Sequence, residues 1–158
     1  MLLVPADPER ARVYGAESAL RDLIAEANTR SAGPLAVSVG ASTVVLPLEV
    51  CFGDIASVQR YCDQVMELNQ LATRWPVRPV TVRKRKGATK AHWETCDVIA
   101  IPDVAWAMRE TVVLHELAHH LTPDAVNHGR AFQDALLDLY CEAMAPEVAF
   151  VARCLLYS

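Results

Sequence analysis

The stretch from Ala105 to Leu121 constrains this chain more than any other, because it predicts a buried helix that also carries ionisable side chains. It has no glycine or proline, and its valines and leucines recur at helical spacing. Pro123 ends the pattern, since a proline restricts the residue before it and removes a backbone donor. The stretch contains HELAHH, residues 115–120. Ionisable groups on a buried face need a partner or a metal ion, so this helix predicts a functional site.

The spacing within HELAHH fits metal chemistry. His115 and His119 are one helical turn apart, so both imidazoles project from one face and can bind the same ion. Glu116 is displaced by about 100° around the helix, which places its carboxylate beside the ion rather than on it. A general base that takes a proton from a zinc-activated water needs that position. The alternative is an ordinary helix, because H-E-x-x-H alone is a loose pattern.

A catalytic zinc also needs a third protein ligand and an open position. His128 follows beyond the Pro123 break, and a chain that turns at 122–124 would bring it back to the ion. Imidazole is a good zinc donor, so His128 is the favoured prediction. Four carboxylates compete with it, and the last of them is the strongest rival: Asp124, Asp134, Asp138 and Glu142.

Two further assignments concern the polar residues around the ion. His120 is turned about 100° away from the two ligand histidines, which favours packing or support of the site over metal binding. Transition-state stabilisation needs a hydrogen-bond donor opposite Glu116, and the sequence offers three candidates without choosing among them: His92, Tyr140 and Tyr157.

The whole chain predicts one α+β domain at 1–158, since 158 residues suffice for a single core. Amphipathic patterns predict further helices that begin at four capping or proline positions: Asp7, Asp54, Asn127 and Pro146. Weak strand signals occupy 35–39 and 42–46, and three extended pieces between Pro79 and Ile101 predict a small antiparallel or mixed sheet. We expect residues 1–75 to cover a catalytic core at 79–142.

Cysteine usage and apolar runs indicate a cytoplasmic protein. The five cysteines are odd in number, widely spaced and without a C-x-x-C pair, so neither a disulfide framework nor a cysteine-type zinc site is expected. The first ten residues lack the pattern of a signal peptide, and the apolar runs are too short to span a membrane.

Positive charge is concentrated between Arg74 and Lys90. This segment holds seven of the fifteen basic residues and no acidic one, in a chain of net charge −4. Residues 83–90 are expected to form a basic hairpin that could contact nucleic-acid phosphates. A solvated turn whose charges keep a strand edge from aggregating explains the cluster equally well.

Four motifs resemble those of the SprT-like zincin metallopeptidases, and small actinobacterial HExxH metallohydrolases in particular: GATKAHW at 87–93, VIAIP at 98–102, VLHELAHH at 113–120 and HGRAF at 128–132. The resemblance covers about residues 79–142. It implies a zincin-like fold, zinc on His115, His119 and His128, Glu116 as catalytic base, and Phe132 packed beneath the third ligand.

The resemblance also implies an edge strand at 88–93 that holds a peptide or protein substrate by main-chain pairing. The sequence departs from the best-known members in a shorter gap between His119 and His128, and in lacking a cysteine zinc ribbon. We therefore expect a zinc-dependent metallohydrolase, with a peptidase favoured. The alternatives are a zinc-stabilised module that binds nucleic acid or protein with weak or no hydrolysis, and a protease that cuts one regulator.

Overall fold

The computed structural model describes residues 7–29, 36–87, 89–125 and 127–158. Within these ranges the chain has an α+β architecture of six α-helices and two small sheets. The helices are α1 (Arg10–Thr29), α2 (Ile55–Met66), α3 (Asn69–Arg74), α4 (Glu110–Leu121), α5 (Arg130–Leu139) and α6 (Pro146–Leu156), with a π-helical segment, Tyr140–Met144, between the last two. No described helix is both long and apolar enough to cross a membrane.

The two sheets are built differently. The smaller is an antiparallel pair, β1 (Ala36–Val39) and β2 (Ser42–Val45), joined at Gly40, whose φ of 59° suits glycine. The larger is mixed: β5 (Val98–Pro102) lies between β3 (Thr81–Arg85), to which it is parallel, and β4 (His92–Glu94), to which it is antiparallel. The expected mixed character of the sheet is therefore found.

The strand order corrects the expected basic hairpin at 83–90. β3 and β4 are not neighbours, and the chain between them passes from one edge of the sheet to the other. β5 takes the centre because its Ile99, Ala100 and Ile101 are fully buried, whereas β3 and β4 carry partly or fully exposed side chains. The alternation of Val80 and Val82 correctly indicates a strand, but alternation does not specify which strand is the partner.

The expected strands at 35–39 and 88–93 are found only in part. Leu35 and Ala88 lie outside the described residues, and the second strand is confined to His92–Glu94. β4 is nevertheless at an edge of its sheet.

α4 begins five residues later than its apolar pattern predicts. Arg109 is extended and forms an antiparallel bridge with Cys51. The N–H of Phe52 donates to the Met108 carbonyl at 2.8 Å, and the N–H of Glu110 donates to the Val50 carbonyl at 2.9 Å. Residues 105–109 contain no helix breaker, so pairing with a distant segment has overridden their helix propensity.

Other helix boundaries follow the sequence with local differences. Asp54 caps α2 through a reciprocal capping box with Ser57, as expected. The apolar pattern that runs from Ile55 to Leu71 predicts one helix, but the structure divides this stretch into α2 and α3. α5 starts from Gly129 rather than Asn127, because Asn127 has a left-handed φ of 55°.

Glu49 connects the segment after β2 to the start of α4 through hydrogen bonds. Its side chain is only 2% exposed, and its carboxylate accepts hydrogen bonds from the N–H and hydroxyl of Thr111, at 2.9 and 2.6 Å, and from the Arg109 guanidinium. Arg109 provides no side-chain cap, so Glu49 caps α4 from a distant part of the chain. Burial raises the pKa of Glu49, but the bonds from Arg109 and Thr111 outweigh it and leave that pKa below its ordinary value.

We expect Glu49→Gln to lower the free energy of unfolding by about 2–3 kcal/mol at pH 7, because hydrogen bonds to a charged group contribute about 1.5–3 kcal/mol. The folded-state pKa of Glu49 lies below its unfolded value of 4.5. This contribution is therefore present above the unfolded pKa and is lost as the pH falls through the folded one. Urea denaturation should show the difference between native chain and variant narrowing in acid.

The matched control is Glu67→Gln, at an exposed position just after α2. It should change the unfolding free energy by less than about 0.5 kcal/mol. Equal losses in the two variants, or a difference that does not depend on pH, would contradict the role given to Glu49.

Candidate metal centre

Three histidines converge on one point. His115 and His119 come from α4 and His128 from the loop before α5, and one ligand nitrogen of each lies within 4.8 Å of the others. The Nε2 atoms of His115 and His128 are 3.3 Å apart. Two zinc–nitrogen bonds of about 2.0–2.1 Å at a tetrahedral angle would hold two nitrogens about 3.3 Å apart. The separation therefore fits a zinc ion.

Carboxylates on the far side of two rings determine which nitrogen faces the centre. The Nδ1 of His115 lies 2.9 Å from Oε1 of Glu17, and the Nδ1 of His128 lies 2.5 Å from Oδ2 of Asp7. An N–H donated to each carboxylate leaves Nε2 of a neutral ring with a free lone pair. Two such lone pairs facing each other are satisfied by a shared proton or by a metal ion, and the second would give the usual carboxylate–histidine–metal arrangement.

Phe132 forms an apolar floor beneath all three rings. Its ring centroid lies 4.9 Å from that of His115, 4.4 Å from that of His119 and 4.8 Å from that of His128. Phe132 is fully buried, so it excludes water from this side of the centre. Burial, with the two neighbouring histidines, lowers the pKa of His119 to about 3, which keeps the ring neutral as a ligand must be.

Glu116 lies beside the histidines without joining their ligand group. Its side chain is buried, and the backbone N–H of Trp93 in β4 lies close enough to lower the pKa of its carboxylate, against the larger effect of burial. Burial raises the pKa of Glu116. A carboxylate held next to the centre, with its proton affinity increased, has the properties of a general base.

A cleft of about 520 Å³ opens onto His115 and Glu116. One stripe of α1 lines it, with residues spaced by four, three and four: Arg10, Tyr14, Glu17 and Arg21. Residues 89–91, Trp106, Arg109 and Val112 complete the lining. The α1 stripe therefore runs alongside the candidate centre.

Tyr14 is the residue of this stripe that contacts the ligand rings. Its ring stacks on His115 at 5.5 Å between centroids and meets the edge of His128 at 5.2 Å. The side chain is 41% exposed, into the cleft. Burial raises the pKa of Tyr14, to which nearby Glu116 and Glu17 add, so the hydroxyl keeps its proton.

None of the three donor candidates from the sequence lines this cleft, although His92 lies near enough to Glu116 to affect that residue's pKa. The Tyr140 hydroxyl is buried and donates to Glu17 at 3.4 Å. The Tyr157 hydroxyl donates to Gln133 at 3.0 Å, and His92 Nε2 lies 2.8 Å from a Glu94 oxygen. Each of these side chains is engaged with another partner.

The rival ligands also lie away from the histidines. Asp134 pairs with Arg130, and Asp138 accepts from Arg74 and Trp75. Asp124 and Glu142 are exposed, and within the described chain none of the four joins the histidine group. His128 is thus the third residue that the fold brings to the centre.

His120 occupies the packing position that its angle on the helix indicates. It is fully buried, and its Nε2 lies 2.9 Å from the Arg78 carbonyl oxygen. It therefore joins α4 to the segment that leads into β3.

Ion pairs neutralise much of the basic segment. Four of its seven cations have acidic partners: Arg74 with Asp138, Arg78 with Asp97, Arg83 with Glu94, and Lys84 with Asp103. The other three, Arg85, Lys86 and Lys90, form no ion pair with any described residue. Contact with nucleic acid stays a prediction, and it now has three unpaired cations in this segment to support it rather than seven.

The contribution of α1 was missed at the level of sequence. Asp7 was expected to cap this helix and the helix itself only to cover the core, whereas Asp7, Tyr14 and Glu17 all contact the ligand histidines. The available signal was a polar stripe with the same helical spacing as the apolar one at Val13, Leu20, Ile24 and Ala27.

Comparison of the chain with protein-family models, curated proteins and solved structures finds no match. The SprT-like resemblance therefore stays a prediction from short motifs, and the case for a function depends on the geometry of the site.

We expect the purified protein to bind about one zinc ion per chain, because three imidazoles converge with two of their rings oriented by carboxylates. Asp7→Asn and Glu17→Gln should each weaken zinc binding about 10–100-fold, the usual effect of losing an orienting partner. His128→Ala should weaken it further, since a ligand is removed. Chelator competition monitored by zinc analysis measures all three.

Glu142→Gln is the control, because it replaces the exposed rival carboxylate. It should leave zinc affinity unchanged. If Glu142→Gln lost zinc while His128→Ala kept it, the ligand set would be wrong.

Proposed function

We propose that the protein is a zinc-dependent metallohydrolase that cleaves peptide bonds. The observation that carries the proposal is the convergence of three imidazoles next to a buried carboxylate at the base of a cleft. Among the described residues no fourth ligand group joins the histidines, which leaves a position for water or substrate. Three protein ligands and an open position characterise catalytic rather than structural zinc.

His115, His119 and His128 hold the ion in this proposal, and a zinc ion bound there would lower the pKa of a water molecule towards neutrality and polarise the scissile carbonyl. Glu116 accepts a proton from the attacking water and later donates it to the leaving amine. The nearby N–H of Trp93 favours the charged form of the Glu116 carboxylate, which is the form that accepts the proton.

Tyr14 is the best-placed donor to the oxygen on which negative charge develops. Its ring lies against two ligand histidines, and it lines the cleft together with Glu116. Its raised pKa keeps the hydroxyl protonated and able to donate. A preorganised donor of this kind is effective because it needs no reorganisation during the reaction.

The edge position of β4 supports a peptide as substrate. β4 lies at an edge of its sheet, and the backbone N–H of its Trp93 is close enough to Glu116 to affect that carboxylate's pKa, so the strand lies beside the proposed base. An extended chain that paired with this edge would lie beside Glu116. A purely zinc-stabilised binding module would gain nothing from a carboxylate buried there, since burying a charge is costly.

Glu116→Gln should abolish hydrolysis while zinc content stays unchanged, because the base is lost but no ligand is. A mixed peptide library analysed by mass spectrometry provides the assay, with zinc measured on the same samples. Full activity in Glu116→Gln would show that this residue is not the base.

Tyr14→Phe should lower kcat about 100-fold or more, the usual effect of removing one transition-state donor, with zinc retained. Steady-state kinetics on a peptide selected from the library measures it. The matched control is Tyr157→Phe, whose hydroxyl bonds to Gln133 outside the cleft and whose loss should leave kcat nearly unchanged. Equal effects of the two substitutions would contradict the assignment.

A further inference from the structure

The cleft that leads to the candidate centre has a charge opposite in sign to that of the chain as a whole. Its described lining includes four cations, Arg10, Arg21, Lys90 and Arg109, and two acids, Glu17 and Glu116. The chain carries a net charge of −4, so this concentration of positive charge is local. A cleft of this kind attracts anions that the remaining surface repels.

The four cations are not equally available. Arg109 is bound to the buried Glu49 carboxylate, and Arg10 lies over the Tyr14 ring at 5.3 Å. Arg21 and Lys90 form no ion pair with any described residue. Arg21 is also partly buried, and a guanidinium with unused donors in a cleft is suited to bidentate binding of a carboxylate.

Neither acid of the cleft forms an ion pair with these four cations. The Glu17 carboxylate lies against the Nδ1 of His115, and Glu116 is buried beside the candidate centre. Arg21 lines the same cleft as His115 and lies one helical turn beyond Glu17, which contacts that histidine, so its charge lies near the centre. An anionic group on a bound molecule would therefore find Arg21 free and close to the reacting position.

The stripe on α1 also indicates the length of extended peptide that the cleft can hold. Arg10 and Arg21 are eleven residues apart, which is about 16 Å along a helix. Tyr14 and Glu17, which contact His115, lie between them. An extended peptide covers about 16 Å in five residues. Cations at the two ends would then meet side chains about two residues from the bond at the centre.

We propose that this cleft selects acidic peptides, with aspartate or glutamate about two residues from the scissile bond bound by Arg21 and assisted by Lys90. The proposal deepens the proposed function, on which the position of the scissile bond rests. Recognition of the acidic side chain itself requires no hydrolysis, so it can be measured separately.

The test uses zinc-loaded Glu116→Gln protein and two peptides of alanine and serine that carry a neutral dye. One peptide has glutamate about two residues either side of its centre, and the other has glutamine there. Fluorescence anisotropy should show about tenfold tighter binding of the glutamate peptide, the effect of one charge-assisted hydrogen bond. The preference should shrink as salt is added.

Adding Arg21→Gln should remove most of the preference and leave the affinity for the glutamine peptide unchanged. Arg60→Gln is the matched control, since Arg60 is exposed on α2 and does not line the cleft. That control should keep the full preference. The same loss in both variants would overturn the proposal, as would equal binding, or no binding, of the two peptides.

A single-stranded oligonucleotide of equal charge provides the remaining comparison. If it bound more tightly than the glutamate peptide, the cleft would be an anion site for nucleic acid and the proposal would be overturned. The two levels of proposal can fail separately. If the glutamate peptide is preferred but the native chain hydrolyses no peptide, the proposed function is wrong and the proposed recognition stands. If the native chain hydrolyses peptides but the glutamate peptide is not preferred, the recognition is wrong and the function stands.

Discussion

The cost of burying ionisable groups governs this structure. α4 carries two buried imidazoles and two buried carboxylates, together with a partly buried third imidazole, His119. Each charge or lone pair placed there needs a hydrogen-bond or ionic partner, because it no longer contacts water. The surrounding elements provide the matches: two carboxylates from the region of α1, a backbone N–H from β4 and the imidazole of His128. The remaining mismatch lies where the imidazole nitrogens face one another, and a metal ion would resolve it.

Features fixed by local geometry could be predicted from the sequence. His115, Glu116 and His119 lie where helical spacing places them, because 3.6 residues per turn leaves no freedom. The α+β class and most helices likewise follow from periodicity. Strand order could not be predicted, since a short apolar strand such as β5 fits a centre or an edge equally well until its neighbours are known. The start of α4 could not either, because Cys51 and Glu49 act on it from about sixty residues away.

The candidate centre shows the same difference between features that local sequence determines and features that depend on distant contacts. The metal-ligand pattern is local, but the groups that orient the ligands are not. Glu17 and His115 are 98 residues apart, and Asp7 and His128 are 121 apart. No sequence periodicity connects such positions. The apolar stripe of α1 is enough to predict the helix, but it indicates nothing about the role of the polar stripe. In the sequence, the role of Tyr14 was indicated only by its position in the polar stripe of α1.

The long separation between α1 and its histidine partners also imposes an order in time. During synthesis α1 is complete well before α4 exists, and His128 is made later still. Until then α1 has no histidines to contact, and its core-facing residues have no α6 to pack against. Contacts this distant in sequence form late in folding. A metal ion held at this centre would consequently be loaded as a final step of maturation, and a chain interrupted before His128 would carry the H-E-x-x-H pattern without the third imidazole.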